Sequence, residues 1–183
     1  MIESAGSVRA YVGMGSNLGD RAGNLLLGVR GMMSSGLRVV RLSSVYETEP
    51  VGVEDEQPAY LNMVAELGAP LPPPEELLAR LVEIEHALGR RRERPRAART
   101  LDLDLLLYGD ECRESATLTL PHPRLHLRRF VLVPLAELAG EARHPSLGLT
   151  YSELLATTED RAAVKLWDAG SAGILPTNEP RGE

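Results

Sequence analysis

Apolar and polar residues alternate along the chain with two different periods, and each period predicts a type of secondary structure. A two-residue period predicts strands, whereas apolar positions three and four residues apart predict helices. By this criterion strands are predicted at residues 7–13, 37–47 and 60–67, helices at 21–34 and 75–88, and a further strand at Leu101 and beyond. The first two-thirds of the chain is therefore a mixed α and β domain.

The order of these elements is strand, helix, strand, strand, helix, strand. It predicts an α+β fold, a ferredoxin-like βαββαβ sandwich with a mainly antiparallel sheet, helices on one face and the site on the other. Shorter elements are predicted beyond it, namely a strand near 117–120 and helices at 130–138 and 151–156. We expect one domain over residues 1–160 and a peripheral C-terminal extension over residues 161–183.

The strand after Leu101 carries the first candidate chemistry. Leu101, Leu103 and Leu105 alternate with Asp102 and Asp104, so the leucines are expected in the core and both carboxylates on one face. Such residues lie roughly 6.5 Å apart at the Cα. That distance lets both carboxylates reach one divalent cation, or two cations about 3.5 to 4 Å apart. The alternative is an amphipathic strand that shows two acids to water.

An arginine-rich segment directly precedes this strand. Residues 90–99 hold six arginines and one glutamate, a local charge of +5 in a chain whose formal net charge is −6. A site that combines a hard cation with guanidinium groups suits a polyphosphate, because Mg²⁺ bridges phosphate oxygens and arginine binds them bidentately. The alternative is a solvated basic run at the end of a helix.

Composition and charge narrow the classes of protein to which this chain can belong. With 43% hydrophobic and 25% charged residues the chain is typical of a globular domain. No apolar run approaches the ~20 residues of a membrane span and no signal peptide is evident, so we expect a cytoplasmic protein without a membrane partner. Cys112 is the only cysteine, which excludes internal disulfides and cysteine-based zinc sites. Basic charge confined mainly to one loop disfavours nucleic acid, and a monomer without an obligate protein partner is favoured.

One glycine-containing segment and one asparagine allow more than one interpretation. Glycines at 13, 15 and 19 resemble a phosphate loop only weakly, because no Gly-Lys-Ser/Thr follows. A tight turn in which Ser16, Asn17 or Asp20 caps the next helix explains the same segment. Asn62 is locally unfavourable in a strand, so it either faces water at an edge or hydrogen-bonds a flat polar ligand.

Five short segments, in order and at their separations, resemble one known family, 6-hydroxymethyl-7,8-dihydropterin pyrophosphokinase of folate biosynthesis. They are residues 15–19 (Gly-Ser-Asn-Leu-Gly), 43–48 (Ser-Ser-Val-Tyr-Glu-Thr), 57–62 (Gln-Pro-Ala-Tyr-Leu-Asn), 99–104 (Arg-Thr-Leu-Asp-Leu-Asp) and 120–123 (Leu-Pro-His-Pro). The resemblance extends from about Val8 to Leu138. It implies transfer of a pyrophosphoryl group from ATP, as co-substrate, to the hydroxymethyl oxygen of the pterin, with release of AMP.

The resemblance also implies roles for individual residues. Asp102 and Asp104 match the paired aspartates that bind two Mg²⁺ ions, and Arg90 and Arg99 match catalytic arginines. The residues implied to contact the nucleotide are Glu85, Arg90, Arg92, Arg99, Leu105, Thr119, His122 and Arg128. Those implied to contact the pterin are Thr48, Val51, Tyr60, Asn62 and Phe130, with Tyr60 and Phe130 enclosing the ring and Asn62 hydrogen-bonding its edge.

The chain departs from the family at two places and leaves two rival functions open. Residues 96–98 are Arg-Ala-Ala where the family usually has Trp-Gly-Pro, and Pro123 replaces a frequent aromatic residue. One rival is a nucleotidyltransferase, in which Gly-Ser lies shortly before the aspartates and pyrophosphate rather than AMP is released. The other is a non-catalytic pterin or nucleotide-binding module.

Overall fold

The structure of the chain, a computed structural model, describes residues 8–50, 57–89 and 98–169. Strands and helices alternate as the sequence predicts, with several short elements added after Tyr108. The elements are β1 (Ala10–Ser16), α1 (Arg21–Ser34), β2 (Arg38–Leu42), β3 (Tyr46–Thr48), β4 (Tyr60–Gly68), α2 (Pro74–Ala87), β5 (Asp102–Tyr108), β6 (Arg113–Glu114), β7 (Thr119–Leu120), α3 (Arg129–Ala139), α4 (Tyr151–Thr157) and β8 (Val164–Leu166). A 3₁₀ turn at Leu125–Leu127 precedes α3.

The main sheet is antiparallel and has the order β5-β1-β4-β3-β8, with β2 also paired to β4. In the ferredoxin-like core, β1 and β4 are therefore central, β5 lies on one side, and β2 and β3 lie on the other. The predicted fold class is confirmed. Helix α1 begins where Asp20 accepts a hydrogen bond from the backbone N–H of Gly23 at 2.9 Å, so Asp20 is the cap among the three candidates.

Each face of the sheet has its own hydrophobic cluster. On one face Val12, Met63 and Leu103 pack with Leu25 of α1 and Leu81 of α2. On the other face α3 and α4 pack against the strands, through a second cluster formed by Val64, Leu106, Leu107, Leu132, Leu135 and Tyr151. The expected arrangement with helices on one face only is therefore wrong for that part of the sheet, because α3 and α4 bury apolar strand residues that water would otherwise contact.

Residues 37–47 form two strands rather than the single strand predicted. β2 ends at Leu42, and Ser43 still bonds to Val64 of β4, with its N–H donating to the Val64 carbonyl and its hydroxyl accepting from the Val64 N–H. At Ser44 the backbone N–H donates instead to the carboxylate of Glu137 on α3. Side-chain competition for backbone hydrogen bonds thus interrupts the ladder, a long-range effect that local alternation does not encode.

The C-terminal segment contributes a strand to the main sheet. Val164, Lys165 and Leu166 of β8 pair with β3, and the N–H of Trp167 donates to the carbonyl of Val45 at 2.9 Å. At least this part of the expected peripheral extension therefore covers the edge of β3. None of the helices in the described ranges has the length and apolar character needed to cross a membrane.

Candidate active site

The two aspartates of β5 lie where the alternation predicts. Leu103 and Leu105 are buried, each 3% exposed, while Asp102 and Asp104 are half-buried and point to the face opposite α1 and α2. Alternation ends at Leu105, because a register shift against Tyr11 and Val12 brings both Leu106 and Leu107 into the second cluster. The acidic pair therefore stands beside a hydrophobic cluster and not on an open surface.

Register places this pair in line with the amide predicted to bind the pterin. Gly15 of β1 pairs with Asp102 on one side and with Asn62 on the other. Two strand spacings of about 4.8 Å put Asp102 and Asn62 roughly 10 Å apart across the sheet. Because Gly15 carries no side chain, β1 forms a shallow trough between Asp102 and Asn62, whereas the buried Leu106 side chain lies over Gly13. A Cβ at Gly15 would lie 3.2 Å from Asn62 Oδ1.

Arg99 contacts the acidic pair directly. Its Nη1 donates to Asp102 Oδ2 at 2.6 Å, and each of these two side chains is only about one-fifth exposed, at 22% and 21%. Burial alone would lower the pKa of Arg99, but the charge of Asp102, with smaller contributions from Tyr60 and Asp104, raises it above its usual value. Arg99 therefore stays charged at the position predicted for a phosphate-binding arginine.

His122 is held in its neutral form. Burial, followed by the charges of Arg128 and Arg124, lowers the pKa of His122 from 6.5 to about 4, against an opposing effect of Asp102. Its Nδ1 accepts a hydrogen bond from the Arg124 N–H at 3.3 Å, which leaves the proton on Nε2. The Arg128 guanidinium lies over the Phe130 ring, 5.4 Å from its centroid. His122 can thus donate one hydrogen bond close to two arginines.

On the side predicted for the pterin, the Asn62 amide is held by a neighbouring strand. Its Nδ2 donates to Thr48 Oγ1 at 2.7 Å, and both residues are buried. Asn62 therefore faces the sheet interior, not water at an edge, and its Oδ1 lies next to Gly15. Tyr60 begins the same strand on the same face, while Phe130 lies in the first turn of α3, both partly exposed.

On the side predicted for the nucleotide, β5 is the edge strand. Glu85 is buried, with Oε1 accepting from the Leu103 N–H at 2.7 Å, so it also anchors α2 to β5. Leu105, two residues further on, is buried in the core, and the carbonyl of the next residue, Leu106, accepts from the His122 N–H at 2.9 Å. Thr119 is partly exposed on β7, and a pocket of about 420 Å³ lies beside Thr119 and His122.

Asn17 was not predicted to contact a ligand, although it lies in residues 15–19, one of the five segments that resemble the family. It is 1% exposed and bonds to Arg99 twice, accepting from its N–H at 2.8 Å and donating to its carbonyl at 3.1 Å. Its Nδ2 donates to Gln57 Oε1 at 3.2 Å. Asn17 therefore joins segments that flank the aspartates and Tyr60. Its place in residues 15–19 was the signal in the sequence that could have indicated this role.

Three predicted site residues, Val51, Arg90 and Arg92, lie outside the described residues, as do Arg96 and Ala97 of the departure from the family. Within the described residues no group of three or more His, Cys, Asp or Glu side chains could hold a metal ion. Mg²⁺ is usually held by one or two carboxylates plus substrate phosphates. Asp102 and Asp104 fit this pattern, because they supply two hard oxygen donors beside cationic side chains.

An antiparallel sandwich with paired acids, an arginine and a neutral histidine beside an amide-lined trough has the features of a phosphoryl-transfer protein. Comparison with known proteins identifies the family within this class. The family model described as 7,8-dihydro-6-hydroxymethylpterin-pyrophosphokinase (HPPK) matches residues 11–140. The chain belongs to this family.

Curated relatives support this assignment along most of the chain. The chain is 40% identical to 2-amino-4-hydroxy-6-hydroxymethyldihydropteridine pyrophosphokinase of Bacillus subtilis, over 86% of this chain and 89% of the relative. It is 39% identical to the protein of the same name from Haemophilus influenzae, over 87% of this chain and 98% of the relative.

Solved structures show the same fold at lower identity. A crystal structure of an HPPK-DHPS in complex with substrates matches with a TM-score of 0.65 and 11% identity, over 82% of this chain and 43% of that chain. Wild-type HPPK-DHPS of Plasmodium falciparum with pteroate matches with a TM-score of 0.66 and 13% identity, over 82% of this chain and 44% of that chain. The chain thus spans less than half of these two chains, and the similarity to them concerns the fold.

Proposed function

We propose that the trough between Asp102 and Asn62 is where this chain transfers a pyrophosphoryl group from ATP to the hydroxymethyl group of 6-hydroxymethyl-7,8-dihydropterin. Its family and its named relatives are pyrophosphokinases. The chain is accordingly an ATP-dependent diphosphotransferase that releases AMP in folate biosynthesis. The assignment of individual residues, developed below, is our own proposal.

The acidic pair would hold the metal. Mg²⁺ bound there supplies neutralisation of charge on the phosphate oxygens. Asp102 and Asp104 bring two carboxylates to one face of β5, and the buried Leu103 and Leu105 fix the strand from which they project. Because β5 is anchored to α2 through the bond from the Leu103 N–H to Glu85, the carboxylates are held on a rigid element.

Positive and hydrogen-bonding groups of the chain would hold the phosphates. Arg99 has a guanidinium fork suited to paired phosphate oxygens, and Arg128 adds a second positive charge near His122. His122, neutral with its proton on Nε2, donates one hydrogen bond without adding charge. These groups stabilise charge and position the reacting atoms, which is most of what phosphoryl transfer requires of a protein.

The pterin would lie over the glycine trough beside Asn62. With Nδ2 engaged by Thr48, Asn62 presents Oδ1 as a fixed acceptor toward Gly15. A flat heterocycle with ring N–H groups suits such an acceptor, and aromatic side chains at Tyr60 and Phe130 suit its faces. Backbone groups at Leu105 and the side chain of Thr119 would contact the nucleotide on the other side of the aspartates.

The observation that supports this proposal most strongly is the shared register of Asp102, Gly15 and Asn62. It puts the metal-binding acid and the pterin-binding amide about 10 Å apart, with the side-chain-free Gly15 of β1 as the residue between them in the sheet. That spacing suits a hydroxymethyl group pointing from the pterin toward a phosphate at the metal. Two Mg²⁺ ions, a monomeric state and a cytoplasmic location belong to the same proposal.

The experiment is to combine the protein, MgATP and the hydroxymethyl pterin and to measure AMP. We expect AMP only with all components, and a loss of about a thousandfold or more in Asp102→Asn, as for removal of a strong electrostatic contribution. Asp110→Asn, at the turn after β5, is the matched control and should stay within about twofold. Pyrophosphate instead of AMP, or wild-type turnover by Asp102→Asn, would contradict the proposal.

A further inference from the structure

The ion pair between Arg99 and Asp102 uses an oxygen that a bound metal would need. Arg99 Nη1 donates to Asp102 Oδ2 at 2.6 Å, and both side chains are mostly buried. A guanidinium and a divalent cation compete for the same carboxylate lone pairs. Metal binding at Oδ2 of Asp102 therefore requires this hydrogen bond to be broken or shared, and metal binding at Oδ1 would bring a second positive charge beside the guanidinium.

Arg99 can release Asp102 without a rearrangement of the backbone. Asn17 holds both the N–H and the carbonyl of Arg99, and the Thr100 hydroxyl donates to the Leu88 carbonyl at 3.0 Å. Asp102 itself is fixed by its pairing with Gly15. Exchange between the arginine and a metal would therefore be a change of one side-chain rotamer.

In its present position Arg99 leaves one donor unused. Its Nε is buried and has no hydrogen-bond partner in the structure as described for residues 8–50, 57–89 and 98–169. Leaving a buried donor without an acceptor costs free energy, more so when the group is charged. Anionic oxygens such as those of a triphosphate could satisfy a guanidinium that moved away from Asp102, since the fork has five donors.

We propose that Arg99 is an internal counter-cation of the acidic pair. Its guanidinium neutralises Asp102 in the nucleotide-free enzyme, and the phosphates of an incoming nucleotide draw it away so that the metal and the nucleotide enter together. A divalent cation alone then binds poorly, and metal and nucleotide each strengthen the binding of the other. This inference rests on the metal assignment of the proposed function.

The test measures binding of Mn²⁺ to the full nucleotide-free chain by electron paramagnetic resonance. Arg99→Gln should bind Mn²⁺ about tenfold more tightly than the wild type, because one charge-assisted hydrogen bond no longer opposes the metal. Arg80→Gln is the matched control, since Arg80 pairs with Glu76 on α2 and lies away from Asp102. It should change the affinity by no more than about twofold.

The double variant Arg99→Gln with Asp102→Asn should lose this gain in Mn²⁺ affinity, which would show that the tighter binding takes place at Asp102. If Arg99→Gln binds Mn²⁺ no more tightly than the wild type, or keeps its gain without Asp102, the inference is wrong. A parallel titration with Mn²⁺ and an unreactive ATP analogue separates the two proposals. If Mn²⁺ binding with the analogue depends on Asp102 but Arg99→Gln shows no gain in Mn²⁺ affinity without nucleotide, the counter-cation role of Arg99 alone is wrong. Binding there that does not depend on Asp102 would overturn the metal assignment as well.

Discussion

Single hydrogen bonds determine which atoms of this site face a ligand, and the bond between Thr48 and Asn62 is the clearest case. Thr48 Oγ1 accepts from Asn62 Nδ2 at 2.7 Å in a buried position. Without that acceptor the amide could rotate and present its NH₂ group in place of Oδ1. The orientation of Asn62, and with it the pattern offered to a pterin, therefore depends on a residue of a neighbouring strand.

Thr48→Val tests this dependence. The substitution keeps the shape of the side chain and removes the acceptor, so we expect pterin affinity to fall about tenfold and the free energy of unfolding to fall by about 1 to 2 kcal/mol. Calorimetric titration and urea unfolding measure the two effects. Thr157→Val on α4 is the control, because that hydroxyl is exposed at a helix end. Unchanged pterin affinity in Thr48→Val would refute the role.

His122 predicts a specific pH dependence of stability. Its pKa falls from 6.5 to about 4 on folding, so between these values the unfolded chain binds more protons and stability decreases as the pH falls. From about pH 7 to about pH 5 the loss should be about 1 to 2 kcal/mol, allowing for partial exposure. Urea unfolding at the two pH values should show that His122→Gln loses about 1 to 2 kcal/mol less unfolding free energy than the wild type over this range. Equal losses in both proteins would contradict the assigned pKa.

At the scale of elements, α3 is attached to the edge strands through charged side chains. Arg41 on β2 donates from Nε to the buried Glu66 carboxylate at 2.6 Å and from Nη2 to the Leu138 carbonyl at 2.7 Å. Glu137 accepts from the Ser44 backbone and from the Tyr46 hydroxyl at 3.0 Å. These contacts hold α3, which begins with Phe130 in its first turn, against the sheet beside the trough.

Arg41→Met should therefore be strongly destabilising. Glu66 would stay buried and would keep, among the described residues, an ion pair with Arg9 at 3.3 Å, and breaking a buried ion pair in this way costs about 2 to 4 kcal/mol. Chemical denaturation measures the change. Arg38→Met on the same strand should stay within about 0.5 kcal/mol, because Arg38 is exposed and only weakly bonded. If both variants lost the same stability, the ion pair would not be the cause.

Local patterns predicted most elements well. Residues 21–34 form the helix predicted there, and β5 has the expected inward leucines and outward aspartates. The errors arise where distant residues compete for backbone groups, as Glu137 does at Ser44, or where packing partners are distant in sequence, as for α3 on the second face. Which arginine bonds to Asp102 could not be foreseen either, because the six arginines of residues 90–99, Arg99 among them, have similar sequence surroundings.

At the scale of the whole molecule, the C-terminal strand completes the sheet. β8 pairs along β3, the strand that carries Thr48, and Trp167 packs partly against the first cluster. Sequence alone did not find this strand, because three residues with no clear alternation do not distinguish an edge strand from an extended tail. We therefore expect pairing with β8 to keep β3 ordered and to fix the position of the Thr48 hydroxyl.

Two truncations test this coupling. A chain that ends at Ala163 should be less stable than one that ends at Ala169 by about 2 kcal/mol, because it lacks the strand pairing and the Trp167 contact. Its pterin affinity should fall as well, through loss of order in β3. Thermal unfolding and calorimetry on the two chains measure the difference due to residues 164–169. Equal stability and equal affinity would show that β8 contributes nothing to the sheet.

Metal binding by the acidic pair next to a nucleotide is the central requirement of the proposed function. The most direct measurement is a crystal structure of the protein with Mn²⁺ and an unreactive ATP analogue, with the metal located by anomalous scattering. We predict an anomalous peak within coordination distance of carboxylate oxygens of Asp102 and Asp104 and of the phosphates, with Arg99 withdrawn onto those phosphates. A peak elsewhere, with both aspartates directed into solvent, would contradict it.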